Sequence, residues 1–164
     1  MDIKRIDNIV KHTKSDLYQS LTDELIDEII SEYSKKITGW DAQVQLSGKP
    51  LGIANAEQAA YASYYDQMRV ELDTIKEFIE YKTKKAKVAA IKTILTHSAK
   101  SYGERILEKM AEDDPVYDKY YSYLIRVTHI YQKTASIVES FKQRAYSLNN
   151  ISKAVVAGVE NTIL

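Results

Sequence analysis

Residues Tyr117 to Val159 read YDKYYSYLIRVTHIYQKTASIVESFKQRAYSLNNISKAVVAGV. Within them Tyr117, Tyr120, Leu124, Val127, Tyr131, Thr134, Val138, Phe141, Ala145, Leu148, Ser152, Val155 and Val159 recur at alternating steps of three and four. That spacing keeps one stripe of a helix turned toward a neighbour along its whole length. Just upstream, Glu112-Asp113-Asp114-Pro115 reads as a turn, with Asp114 as N-cap and Pro115 at the first helical position. So persistent a seam predicts a long antiparallel return along a second helix. The end of the chain is apolar (Val155, Val156, Val159, Ile163, Leu164), more than one partner helix covers, which predicts self-association beyond a dimer.

The second helix is legible upstream. Asn55 is placed to open it, with Gln58 three residues on as a reciprocal cap partner. Tyr61, Tyr65, Met68, Leu72, Ile75, Ile79, Ala86 and Ala89 keep the same alternating spacing, interrupted only by Lys82. Without proline or glycine until Gly103, the pattern predicts a helix of roughly 70 Å running to Ser101. A weaker stripe of Phe78, Tyr81, Val88, Leu95, Tyr102 and Ile106 calls for another neighbour, one that another subunit can supply. Gly103 then ends or kinks the helix before a short helical piece to about Ala111.

Composition agrees with long helices. The chain has 164 residues, the size of one domain, with five glycines and two prolines to punctuate strands and hairpins. It has no cysteine, which excludes disulfides, thiolate metal sites and cysteine nucleophiles. Thirteen tyrosines stand against two phenylalanines and one tryptophan, a bias suited to half-buried surfaces. No apolar run is long enough to span a bilayer, and MDIKRIDNIVKH does not read as a signal peptide. A soluble protein of the cytoplasm, without a membrane partner, is expected.

The N-terminal part reads as two short helices. Ile3, Ile6, Ile9 and Val10 have helical spacing, and Leu21, Leu25, Ile29, Tyr33 and Ile37 form a stripe over about Leu21 to Thr38. Gly39 follows where a left-handed cap is wanted. The other face of this helix carries Asp23, Glu24, Asp27, Glu28 and Glu32. It is either solvated or set against a basic surface, the chain's own lysines included. Trp40 to Leu46 alternates apolar and polar residues and reads as an extended segment. SGKPLG, from Ser47 to Gly52, is a loop rather than a phosphate-binding motif, because its glycine spacing is wrong. Residues 1–54 therefore form a helical arm and linker, and residues 55–164 the long helix pair.

Charge is concentrated in Tyr81 to Gly103, YKTKKAKVAAIKTILTHSAKSYG. Between Glu80 and Glu104 there is no acid, yet Lys82, Lys84, Lys85, Lys87, Lys92 and Lys100 are all there. The chain as a whole is neutral, with 23 basic and 23 acidic residues. Lys85 and Lys92 share one side of the helix; Arg69, Lys76 and Lys87 fall near another line. Such a face is either simply solvated or the charge of a single-strand binder, with Tyr81 and Tyr102 offering rings for unstacked bases. Catalysis has little to work with. His12, His97 and His129 lack carboxylates at metal-binding helical spacing. Glu77 with Glu80, and Glu24 with Asp27 and Glu28, resemble the carboxylate groups of all-helical magnesium nucleotide hydrolases, a third reading.

The segment Tyr65 to Lys92, Y-x9-I-K-x11-K-V-A-x-I-K, followed by an acidic turn and a final helix carrying SFKQRAYSLNN (Ser140 to Asn150), resembles the recombination mediator proteins of tailed bacteriophages, the UvsY-like family. The likeness covers about two-thirds of the chain. It implies a small, helical homo-oligomer that binds single-stranded DNA. Such a protein loads a phage recombinase onto strands covered by single-strand-binding protein, in the host cytoplasm. Where the family has a lysine–arginine pair this chain has Ile91-Lys92-Thr93, so the implied DNA contact is a region, Lys85, Lys87 and Lys92.

Together these observations predict an all-α protein, an elongated antiparallel helical hairpin with a shorter arm. They point to a noncatalytic strand-binding mediator without cofactor or metal. Its nucleic-acid residues are expected to be Lys82, Lys84, Lys85, Lys87, Lys92, Lys100, Tyr81 and Tyr102. The alternative is a helical scaffold or virion-associated protein acting through protein contacts alone.

Overall fold

The long helices follow from where the apolar stripes fall, and the helices that open at Asp23 and Pro115 also from their caps. The computed structural model describes residues 21–98 and 101–158, and among these the chain is all-helical with no strand. The expected helix at Ile3 to Val10, and Lys100, Val159, Ile163 and Leu164, lie outside the described residues.

Helix α1 spans Asp23–Lys36. Thr22 caps it by accepting the Leu25 N–H, acids occupy its first turn and lysines its last, as the helix dipole favours. Its stripe is buried as expected: Leu21, Leu25, Ile29, Tyr33 and Ile37, joined by Ile26 and Ile30. Gly39 takes the left-handed conformation (φ 78°) that its position calls for.

Trp40 to Leu46 corrects one expectation. It is not extended but contains a one-turn helix, α2, Trp40–Val44. An alternating segment needs a partner strand, and none exists among the described residues. As a helical turn, Trp40 and Val44 share a side and pack on the core, while Gln43 accepts a hydrogen bond from the Tyr65 hydroxyl (3.1 Å).

Helix α3 spans Leu51–His97, about 70 Å of helix. It starts one turn before Asn55, because Pro50 leads into it and the Ala54 N–H bonds the Pro50 carbonyl. It also stops before Ser101: Ser98 is already extended, and residues 101–103 are non-helical. Helix α4, Glu104–Glu112, follows Gly103. Helix α5, Pro115–Val156, opens as expected on Asp114, whose carboxylate accepts the Val116 and Tyr117 N–H groups.

Helices α3 and α5 run antiparallel in contact. Gln58 reaches Phe141, Tyr65 stacks on Phe141 (5.4 Å between ring centroids, 19° between planes), Lys76 lies over Tyr131 and Lys87 over Tyr117. On α3 the buried residues step through Tyr65, Met68, Leu72, Ile75, Ile79, Thr83, Ala86 and Ala90. Two steps of four in succession, from Ile75 to Ile79 to Thr83, replace the expected step through Lys82 and move the stripe from Ala89 to Ala90. This is the drift of a straight 3.6-residue helix away from a strict heptad. Helix α1 lies parallel to α5 and reaches α3 through the Tyr33 hydroxyl, which donates to Glu71 (2.6 Å). Covered on two sides, α5 buries a wider face than one seam, with Tyr123, Ile130 and Ile137 added to the expected Val127, Thr134 and Phe141.

Arg144 is buried at this seam. Its Nη1 donates to the Ala54 carbonyl (3.0 Å) and to Gln58 Oε1 (2.7 Å), while Gln58 donates to the Phe141 carbonyl (2.7 Å). Glu57 lies 3.7 Å from Nη2 and is itself bonded to Lys49 (2.6 Å). This clasp joins α3 to α5 near the start of one and the end of the other.

Phe141 is the most informative position in the core, since it is fully buried between Tyr61 and Tyr65. Phe141→Ala should cost about 3–5 kcal/mol in denaturant unfolding. Tyr146→Ala, at an exposed site on the same helix, should stay within about 0.5 kcal/mol. A loss at Phe141 under about 1 kcal/mol would contradict the packing described.

Candidate nucleic-acid interface

The lysine-rich part of α3 presents its charges unequally, because the acids around it are unequally placed. Lys84, Lys85 and Lys92 are exposed, and among the described residues none of them makes an ion pair. With Tyr81, Val88 and Leu95 they lie opposite the buried Ile79, Thr83, Ala86 and Ala90. Tyr81 is half exposed.

The other expected residues are placed differently. Lys87 is part-buried and bonds Glu112 at the end of α4 (3.2 Å), which holds its ammonium above the ordinary lysine value. It also sits over the Tyr117 ring, 5.9 Å from the centroid. Lys82 is part-buried over the Phe78 ring (5.3 Å). Tyr102 is in the non-helical connector, so it does not share the helix face with Tyr81. Lys100 is outside the described residues. The second cationic line is occupied: Arg69 bonds Asp66 (2.9 Å), and Lys76 pairs with Glu80 (3.4 Å).

Two tyrosines join the site from across the seam. Tyr117 and Tyr121, four residues apart on α5, stack at 5.6 Å with 12° between their planes. With Glu80, Thr83, Lys84, Lys87 and Leu124 they line a groove of about 380 Å³ between α3 and α5. The heptad pattern places Tyr117 in the seam and does not include Tyr121. The available signal is their i, i+4 spacing, which puts both rings on one side of a helix.

Two acids of α1, Asp23 and Asp27, are directed at α5, while Glu24 and Glu28 are exposed and Glu32 pairs with Lys35 of the same helix. Asp23 accepts from Lys119 (2.7 Å) and from the Tyr120 hydroxyl (3.0 Å); Asp27 accepts from Arg126 (2.5 Å) and from the Tyr123 hydroxyl (2.9 Å). These bonds, led by those from Lys119 and Arg126, hold both carboxyls below the ordinary value. Among the described residues no three histidine, aspartate or glutamate side chains converge on a point. No described helix is long and apolar enough to cross a membrane.

Comparison with protein-family models, with curated proteins and with solved structures finds no match. The resemblance to phage recombination mediators therefore rests on the residues quoted for it.

The α1–α5 bonds make a pH prediction. A carboxyl whose folded pKa is depressed stabilises the fold at all pH values above its unfolded pKa and loses that contribution as pH falls through the folded one. The melting-temperature gap between the wild type and a variant carrying both Asp23→Asn and Asp27→Asn should be full at neutral pH. It should close as pH falls below 3.8 toward the lowered values. A gap unchanged at the acid end would mean that these carboxylates do not hold α1 in place.

Proposed function

We propose that this chain is a noncatalytic, oligomeric binder of single-stranded DNA, an elongated helical hairpin that helps load a recombinase onto strands coated by single-strand-binding protein. The observation that carries the reading is the set Lys84, Lys85 and Lys92 on the solvent face of α3, without ion pairs among the described residues and interleaved with Tyr81. Three ammonium groups that make no ion pair among the described residues are available to phosphates, and the counterions released from the strand drive association. Binding of this kind is nonspecific in sequence and strong only when several subunits engage one strand.

A second reading has its own observation. Val70, Tyr81, Val88 and Leu95 are exposed on α3 at intervals of eleven, seven and seven residues, each close to whole turns. An apolar stripe of this kind is a contact surface, and it supports a scaffold that works through protein partners. Val155 and Val156, exposed at the end of α5, favour association of copies under either reading.

Replacing Lys84, Lys85 and Lys92 with glutamine preserves helix propensity while removing three charges. The log–log salt slope for a mixed-sequence single strand should shrink by about 0.7 for each phosphate that the variant no longer neutralises. Helicity and sedimentation need to be unchanged in that variant. An intact variant that binds like the wild type would move the strand off this face, and a wild type with no strand binding at low salt would leave the scaffold.

Assembly is tested separately by removing the residues after Leu148, the last buried residue of α5. The truncated chain should sediment as a smaller species. Unaltered assembly would place the contact between copies elsewhere.

A further inference from the structure

We infer that the groove between α3 and α5 receives one base of a bound single strand, stacked on Tyr121, with Lys84 at its rim neutralising the adjoining phosphate. The inference rests on the strand-binding reading and assigns it a base site.

Three observations select this occupant. The first is size: at about 380 Å³ the groove lies near the small end of ligand clefts, enough for one flat ring and its sugar but not for a helix. The second is the wall. Tyr117 and Tyr121 are nearly parallel, and the Tyr117 ring is already flanked by Lys87 and Tyr121. Tyr121, 45 % exposed, is therefore the ring that presents area to a ligand. A stacked pair of rings is extended naturally by a third flat π-surface.

The third is charge. Glu80 also lines the groove, but Lys76 holds it at 3.4 Å, and Glu112 is held by Lys87. Lys84 lines the same groove and makes no ion pair among the described residues. It also borders the exposed face that carries Lys85 and Lys92. A strand with a base in the groove can thus lead its phosphates from Lys84 over α3 toward those two lysines.

The test separates base from backbone. Full-length protein is titrated, by fluorescence anisotropy, with a labelled mixed-sequence oligonucleotide and with an abasic strand of equal phosphate number. The wild type should prefer the base-bearing strand by about tenfold. Tyr121→Ala should lower affinity for that strand about fivefold or more, with no change for the abasic strand and no change in salt slope. Tyr121→Phe and Tyr121→Trp should retain the preference. Equal binding of both strands by the wild type, or a preference undiminished in Tyr121→Ala, overturns the base site while leaving the phosphate contacts standing. If Tyr121→Ala alters sedimentation and not strand binding, the groove is a contact between copies and the assignment is wrong. A wild type that binds neither strand removes the underlying reading together with the site.

Discussion

The seam between α3 and α5 is the constraint on which the other elements depend. A helix of 47 residues with an apolar stripe cannot persist in water uncovered, and no described strand or additional long helix exists to cover it. Pairing with α5 buries Leu72, Ile75, Phe78, Ile79, Ile137 and Phe141, and α1 completes the same core with Ile26, Ile29 and Tyr33. Register is held by groups that are not interchangeable: the Tyr61, Tyr65 and Phe141 rings, and Arg144 bonded to Ala54 and Gln58. A slip of one heptad would carry Tyr117 roughly 10 Å along α3, away from Lys87 and Lys84. The groove therefore exists because the core fixes which residues of the two helices meet.

Charge is arranged with the same economy. The chain is neutral overall, yet several of its acids are engaged by particular partners. Asp23 and Asp27 join α1 to α5, Glu57 serves Lys49 beside Arg144, Glu80 takes Lys76, and Glu112 takes Lys87. What is left over on the exposed face of α3, among the described residues, is Lys84, Lys85 and Lys92. Near-surface pairs contribute little to stability singly, so their main effect is on where net charge appears. Asp23 and Asp27 of α1 are paired with Lys119 and Arg126 of α5, and the lysine of the α3 run whose charge reaches Asp23 is Lys82.

Much of the helical pattern is readable in the sequence, because it depends on local rules. The Asp114–Pro115 start of α5, the buried stripe of α1 and the left-handed Gly39 follow from capping and periodicity alone. What is not readable depends on partners in space. Trp40 to Leu46 has the alternation of a strand and becomes a helical turn, since only tertiary contact decides between the two for so short a segment. Read as strict heptads, the seam of α3 misses by one residue at two places beyond Ile79, Lys82 in place of Thr83 and Ala89 in place of Ala90, where the true helix period takes over. Arg144 interrupts no pattern in sequence and yet is buried, a state stabilised by a carbonyl and an amide more than eighty residues away. At the candidate site, the lysines of α3 are legible as a charge run. Which of them are already paired is not, nor is the arrival of Tyr117 and Tyr121 from α5.

Tyrosine usage links the fold to the proposed chemistry. In the core, a tyrosine packs like phenylalanine while its hydroxyl reports register: Tyr33 finds Glu71, Tyr65 finds Gln43, and Tyr123 finds Asp27. Near the mouth of the seam, Tyr117 and Tyr121 expose ring area where two lysines approach. On the strand-binding reading, one subunit offers the ammonium groups of Lys84, Lys85 and Lys92 and one accessible ring of this pair, which makes a weak site by itself. Three phosphate contacts correspond to a salt slope of only about 2. Strong binding must then come from repetition, since each further subunit on the same strand engages at high effective concentration. Repetition requires a surface for association, and the exposed Val155 and Val156 at the end of α5 supply apolar area remote from the lysines in sequence. Self-association through that end leaves the lysine face open, so assembly and strand binding need not compete for the same residues.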